Sequence, residues 1–289
     1  MKKNILITGA DGFIGKRLQK RFISTEYDII THDIKNGDIA SDILEYSDVC
    51  HVYHLAALTY VPNSWDNTFE YYRVNTMGVV NVLELCRKTG ASLTFLSTYV
   101  YGKPHQEFID EEHDVNPNSP YNHSKVLGEN LCEFYNKIFN VDITVLRPFN
   151  IYGFGQSNEF LIPSIVSQFL DDNVEIVTVM NYDAKRDYLY IDDLVEAIYK
   201  TFECRGYAVY NVGTGCLSSV LDVLITVKRI LNSSKPFTKK NVERKNEVTD
   251  MAANISKISS AVGWKPLYNL ENGLRRMIEE ITVAKKNKI

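Results

Sequence analysis

Asn4-Ile5-Leu6-Ile7-Thr8 is an apolar, β-branched run without alternation, which reads as a strand buried on both faces. It ends in Gly9-Ala10-Asp11-Gly12-Phe13-Ile14-Gly15, and helical spacing resumes over 16–22. A strand that breaks through three glycines into a helix has few solutions. The glycines let the backbone turn sharply and lie close to another group. The helix start presents unpaired N–H groups and a partial positive charge, which together cradle a diphosphate. Gly9, Asp11, Gly12, Phe13, Ile14 and Gly15 are therefore expected around a dinucleotide. The spacing, Gly-x-x-Gly-x-x-Gly, is longer than the commoner Gly-x-Gly-x-x-Gly.

Further buried strands are predicted over 27–33, 49–57, 93–96 and 141–146, with helices over 65–88 and 121–139. Strands alternating with helices at this interval make a doubly wound parallel α/β sheet. Asp33 closes the second strand 18 residues after Gly15, where a carboxylate grips ribose hydroxyls. It would repel a 2′-phosphate, so NAD(H) is favoured, while nearby Lys35 leaves NADP(H) possible. Asp42 and Ile43 are placed against the adenine. Leu55, Ala56 and Ala57 let the third strand end close to the cofactor, and Pro148 closes the fifth strand on the same side. His54 reads as a packed strand-end residue, and Asn75 as a side chain that fixes a neighbouring turn.

Past Pro148 the rhythm changes. A helix over 160–170, a strand over 175–179, a helix ending near 203, a strand over 208–212 and helices over 218–231 and 270–284 suggest a smaller mixed α/β cap. The expected division is a dinucleotide-binding unit over 1–150, to which 185–204 returns, and a substrate-binding cap over most of 151–289.

The net charge of −4 over 289 residues, with no basic stripe, argues against a nucleic-acid partner. No stretch approaches a membrane span, and Met1-Lys2-Lys3 runs straight into the first strand, leaving no room for a signal peptide. Cys50, Cys86, Cys132, Cys204 and Cys216 lack paired spacing and read as reduced thiols of a cytoplasmic protein. No metal site is expected.

Tyr121 and Lys125 sit four apart on a predicted helix and share a face. A lysine ammonium stabilises a nearby phenolate and draws the tyrosine pKa toward neutrality. The pair can then move a proton to or from a sugar hydroxyl while hydride moves at the same carbon. Ser97, at the end of the fourth strand, can hold the same oxygen.

The chain resembles the extended short-chain dehydrogenase/reductase family of nucleotide-sugar epimerases, dehydratases and reductases. The resemblance spans nearly the whole length. It is carried by Thr8–Gly15, His54-Leu55-Ala56-Ala57, Ser97-Thr98-Tyr99-Val100-Tyr101-Gly102 and Tyr121-Asn122-His123-Ser124-Lys125. Leu146-Arg147-Pro148-Phe149-Asn150-Ile151-Tyr152-Gly153, Arg186-Asp187-Tyr188 and Tyr210-Asn211-Val212-Gly213-Thr214-Gly215 follow in order. The resemblance implies that Ser97 is the catalytic hydroxyl with Thr98 a nearby helper, and that Lys125 also holds the nicotinamide ribose. It implies that Thr59, Tyr99 and Asn150 face the nucleotide sugar, and that Arg186 and Arg244 grip its diphosphate. A homodimer through a four-helix bundle is also implied.

Dehydratases of this family place an Asp-Glu pair after the hydroxyl, and decarboxylases keep a Glu. Here the residues are Thr98, Tyr99 and Val100, so neither reaction is expected. What remains is redox at the sugar C4. A 4-ketoreductase is favoured by the short chain, by Thr59-Tyr60-Val61-Pro62, by Gly155-Gln156-Ser157 with Phe160, and by Ala184-Lys185-Arg186-Asp187. The alternative is an NAD-dependent 4-epimerase, and a lesser one an inactive nucleotide-binding regulator of the same fold.

Overall fold

The computed structural model describes residues 3–23, 25–103, 106–240 and 250–286. Six strands make one parallel sheet: β1 (Lys3–Thr8), β2 (Tyr27–His32), β3 (Val49–His54), β4 (Ser92–Leu96), β5 (Ile143–Pro148) and β6 (Tyr207–Val212). Their spatial order is β2-β1-β3-β4-β5-β6. The chain first moves outward from β1 to β2, then crosses to β3 on the other side. The order therefore reverses between β1 and β3, and ligands of such sheets bind at the carboxyl edge there.

Both faces of the sheet are covered, which explains the unbroken apolar strands. Ile5 and Ile7 point into one core with Leu18 of α1 (Phe13–Arg21), while Leu6 points into the other with Val79 and Val82 of α2 (Gly78–Thr89). The second face also receives α3 (Pro120–Phe139). The first receives α4 (Leu161–Leu170), α5 (Ile191–Lys200), α6 (Val220–Ile230) and α7 (Leu270–Lys286). Arg17 of α1 ties two of these together, at 2.5 Å from Asp192 of α5 and 2.7 Å from Glu280 of α7.

Two expectations change. The strand near 208–212 belongs to the main sheet, paired with β5 from Tyr207↔Ile143 to Val212↔Pro148, rather than to the cap. The single helix expected over 65–88 is broken into Asn63–Asp66, Thr68–Tyr72, a π-helical turn Arg73–Met77 and then α2. The wider π turn carries Asn75 inward, where its side chain pairs with both the N–H (2.8 Å) and the carbonyl (3.0 Å) of Leu58. Asn75 thus does fix a neighbouring turn, and doing so costs the helix its regularity.

Near the chain end, the helix Ser256–Val262 stops at Gly263, whose φ of +63° suits glycine. The next residue, Trp264, is fully buried and donates to the Asp193 carbonyl of α5 at 3.0 Å.

Candidate active site

The glycine turn lies where the sheet order reverses. Gly9 has φ +67°, and a Cβ there would sit 2.7 Å from the Ala56 nitrogen, so only glycine lets β3's end approach. A Cβ on Gly15 would collide with the Gly9 carbonyl and lie 2.7 Å from Ala10 Cα. α1 begins after Gly12, whose lack of a side chain leaves the helix N-terminus without a side-chain cap. Phe13 at its start lies below Gly153, whose Cβ would be 3.4 Å from the ring. Ile14 packs against the first core.

Asp33 follows β2 as expected, with its carboxylate already accepting the N–H groups of Asp11 (2.9 Å) and Ile34 (2.8 Å). Those bonds aim it at the glycine turn. Lys35 is paired with Asp11 at 2.5 Å. Asp42 braces its own loop, accepting from Asp38 N–H at 2.7 Å, while Ile43 is exposed. Leu55 and Ala56 donate to the Thr8 carbonyl and hydroxyl, which seats the Leu55-Ala56-Ala57 segment beside the turn. Pro148 ends β5, and Thr59 is exposed in the loop whose Tyr60 ring meets Phe160. His54 is buried, bonded to Thr8 at 2.8 Å, and held neutral because burial lowers its pKa to about 3. It is a packing residue.

α3 starts at Pro120 after Ser119, whose hydroxyl accepts from Asn122 N–H. This start sets Tyr121 and Lys125 on the inner face, both buried. Lys125 Nζ donates to the Leu96 carbonyl at 2.9 Å and sits 5.1 Å over the Phe95 ring. Burial lowers its pKa to about 8, and burial raises that of Tyr121.

The two hydroxyls after β4 face different partners. Thr98 stands by the Tyr121 phenol, where its side chain works against the effect of burial. Ser97 instead donates to the buried Glu129 carboxylate at 2.5 Å. Adjacent residues leaving a strand face opposite ways, so one position decides which hydroxyl meets the tyrosine. Glu129 was missed in the sequence, although it continues the spacing of Tyr121 and Lys125 by one more turn.

Tyr99 donates to Asn150 Oδ1 at 3.2 Å, with its ring 5.4 Å from that of Phe149. These two residues line one crevice together with Lys185, Arg186 and Met251. Arg244 lies outside the described residues. No carboxylate stands at 98–100, and Val100 is buried.

The crevice wall is held by Asp187. Its carboxylate accepts the N–H groups of Thr214 (2.7 Å), Gly215 (2.9 Å) and Ala253 (3.1 Å), and its carbonyl accepts from Asn150. Asp187→Asn would aim an NH2 group at those donors. The substitution is expected to cost about 2–3 kcal/mol of stability, and an unchanged urea midpoint would contradict the assigned role. Among the described residues, no cluster of three or more His, Cys, Asp or Glu could hold a metal ion, and no helix is long and apolar enough to cross a membrane.

A parallel sheet reversing at a glycine turn, with Tyr and Lys one helical turn apart beside a strand-end hydroxyl, defines an enzyme of the short-chain dehydrogenase type. The family model for GDP-mannose 4,6 dehydratase matches residues 17–277. A putative UDP-glucose 4-epimerase of Methanocaldococcus jannaschii is 30% identical over 305 residues, covering 95% of this chain and 97% of that one. The GDP-6-deoxy-D-talose 4-dehydrogenase of Aggregatibacter actinomycetemcomitans is 33% identical over 236 residues, covering 72% and 77%. The solved structure of MoeE5 in complex with UDP-glucuronic acid and NAD superposes with a TM-score of 0.90 at 26% identity, covering 97% of this chain and 99% of that one. The chain belongs to this family of nucleotide-sugar epimerases, dehydratases and reductases.

Proposed function

We propose that this enzyme oxidises or reduces C4 of a nucleotide-diphosphate sugar, acting as a 4-ketoreductase of a 4-keto-6-deoxyhexose. One observation carries the reading: Thr98 stands by the buried Tyr121 phenol, one helical turn from buried Lys125, with Tyr99 where a dehydratase would need an acid. The 33% identical 4-dehydrogenase supports it.

The residues around the turn fit a dinucleotide. Gly9 and Gly15 let the turn close tightly on Ala56 and Ala10, where a Cβ would clash, and the α1 N-terminus has no side-chain cap. Backbone N–H groups from Phe13 onward would hold the diphosphate, Asp33 the adenosine ribose, Leu55-Ala56-Ala57 the passing backbone side, and Lys125 the nicotinamide ribose. The Asp33 carboxylate and the pairing of Lys35 with Asp11 favour NAD(H) over NADP(H). MoeE5 was solved with NAD, which agrees. Bound nicotinamide supplies the hydride that C4 accepts.

The chain itself handles the proton. Tyr121 donates its phenolic proton to the carbonyl oxygen at C4 as that oxygen gains charge, and Thr98 steadies the oxygen. Burial alone would hold the phenol proton too tightly, and the Thr98 side chain works against this. Asn150, Tyr99 and Thr59 present the sugar nucleotide, and Arg186 grips its diphosphate.

A second reading, an NAD-dependent 4-epimerase, uses the same groups twice. The M. jannaschii relative and the NAD-type Asp33 favour it. Given NADH and a 4-keto-6-deoxy nucleotide sugar, a reductase consumes cofactor stoichiometrically, seen as falling nicotinamide absorbance. Interconversion of UDP-hexoses without added cofactor, and no NADH consumption, would replace the first reading by the second.

The free thiols fit a cytoplasmic enzyme. We read 1–150 with 185–204 as the cofactor-binding unit and most of 151–289 as the cap, with β6 assigned to the sheet. A homodimer is supported by exposed apolar side chains on the outer helices, namely Trp65, Phe69, Met77, Phe134 and Ile138.

A further inference from the structure

Proton transfer at Tyr121 leaves one buried network beside it unused. Glu129 lies on α3 one turn beyond Lys125 and two beyond Tyr121, on the same face. Its carboxylate is bidentate with Arg147 of β5, at 2.6 Å from Nη2 and 3.1 Å from Nε, and takes the Ser97 hydroxyl at 2.5 Å. Arg147 Nη1 donates to the Tyr101 hydroxyl at 2.9 Å, which donates to Asn211 of β6 at 2.6 Å. All five side chains are buried. Burying such an ion pair costs each ion several kcal/mol of hydration, and an apolar pair of similar volume is often as stable. Stability alone does not account for it.

The placement does. Ser97 is the residue before Thr98, so a tether on Ser97 fixes the turn by which β4 hands Thr98 to the phenol. We propose that Glu129 is a positioning residue for the proton relay: anchored on Arg147, it holds Ser97 and so fixes the strand end that carries Thr98 toward Tyr121, one turn along α3 from Lys125. The inference rests on the reading that Tyr121 and Lys125 carry the proton.

The surrounding groups leave Glu129 this role. Lys125 faces Glu129 and Cys132 on its own helix and His54 from β3. Glu129 also faces Arg147 from β5 and Tyr207 from β6. Burial holds Cys132 and Tyr207 protonated and His54 neutral, so the charges are those of Lys125, Glu129 and Arg147. Burial lowers the lysine pKa, and the Glu129 charge works against that fall.

Glu129→Gln keeps an acceptor for Ser97 but removes the charge. Lys125 should then lose its proton earlier, moving the alkaline limb of the kcat profile to lower pH by about one unit. Because this variant leaves Arg147 buried and unpaired, a second one guards against misfolding. Glu129→Leu with Arg147→Met removes both ions and the tether while keeping volume. It should melt near the parent temperature and bind substrate with a similar KM, yet lose roughly 10- to 100-fold in kcat from the misplaced hydroxyl. Parental kcat in the double variant, or an unmoved limb in a folded Glu129→Gln, overturns the inference. Tyr121→Phe, assayed beside them, separates the two failures: activity there would remove the underlying reading, and its loss leaves Glu129 judged alone.

Discussion

Tyr121→Phe should lower turnover by roughly 10²- to 10⁴-fold, the usual contribution of a positioned general acid, while leaving dinucleotide binding intact. The ring stays, so its edge contact with Tyr71 and the packing of α3 survive. Only the hydroxyl that meets Thr98 is lost. Single-turnover reduction of a 4-keto sugar with NADH, and fluorescence titration of NADH, read the two effects separately. A variant that bound NADH normally and turned over at the parental rate would remove Tyr121 from the mechanism. A variant that lost both properties would instead mean that the hydroxyl supports the fold.

Gly15→Ala should do comparable damage by a different route. The added Cβ meets the Gly9 carbonyl and the Ala10 backbone, not the end of a flexible side chain. The turn between β1 and α1 must open, and such overpacking typically costs about 1–3 kcal/mol. An opened turn misaligns the N–H groups aimed at the diphosphate. Each charge-assisted bond lost is worth about 1.5–3 kcal/mol, or roughly 10- to 100-fold in NADH affinity. Gly90→Ala is the control. Gly90 has φ +74° but nothing within 4 Å of its Cβ position, far from the turn. It should show a strain penalty of about 1–2 kcal/mol and unchanged NADH affinity. Equal affinities in both variants would show that the close approach at Gly15 is unimportant.

The parts of this fold that depend on local pattern were legible in the sequence. Buried strands appear as unbroken apolar runs, the glycine turn as its spacing, and the Tyr121–Lys125 face as a helical repeat. What escaped depends on partners distant in sequence. Residues 207–212 read correctly as a strand, but nothing in them says that they pair with β5 rather than with a cap strand. The break at 67–77 follows from the grip of Asn75 on Leu58, a tertiary demand that overrides helical spacing. Ser97 and Thr98 are chemically similar neighbours, and only the direction each side chain leaves the strand separates the one near Glu129 from the one near Tyr121. Glu129 was readable as a third residue on the catalytic face, but its meaning comes from Arg147, 18 residues away on another element. Asp187 likewise acts through a loop at 214–215 and a short strand at Ala252–Ala253 that its own neighbourhood does not reveal.

The central claim is that hydride and proton are exchanged at C4 of the sugar and nowhere else. Reduction of a 4-keto-6-deoxy nucleotide sugar with NADH deuterated at the transferred position tests it directly. The product, examined by proton and deuterium NMR, should carry one deuterium, at C4, with C3, C5 and C6 unlabelled. Deuterium at C6, or a sugar converted with no deuterium anywhere, would contradict the account.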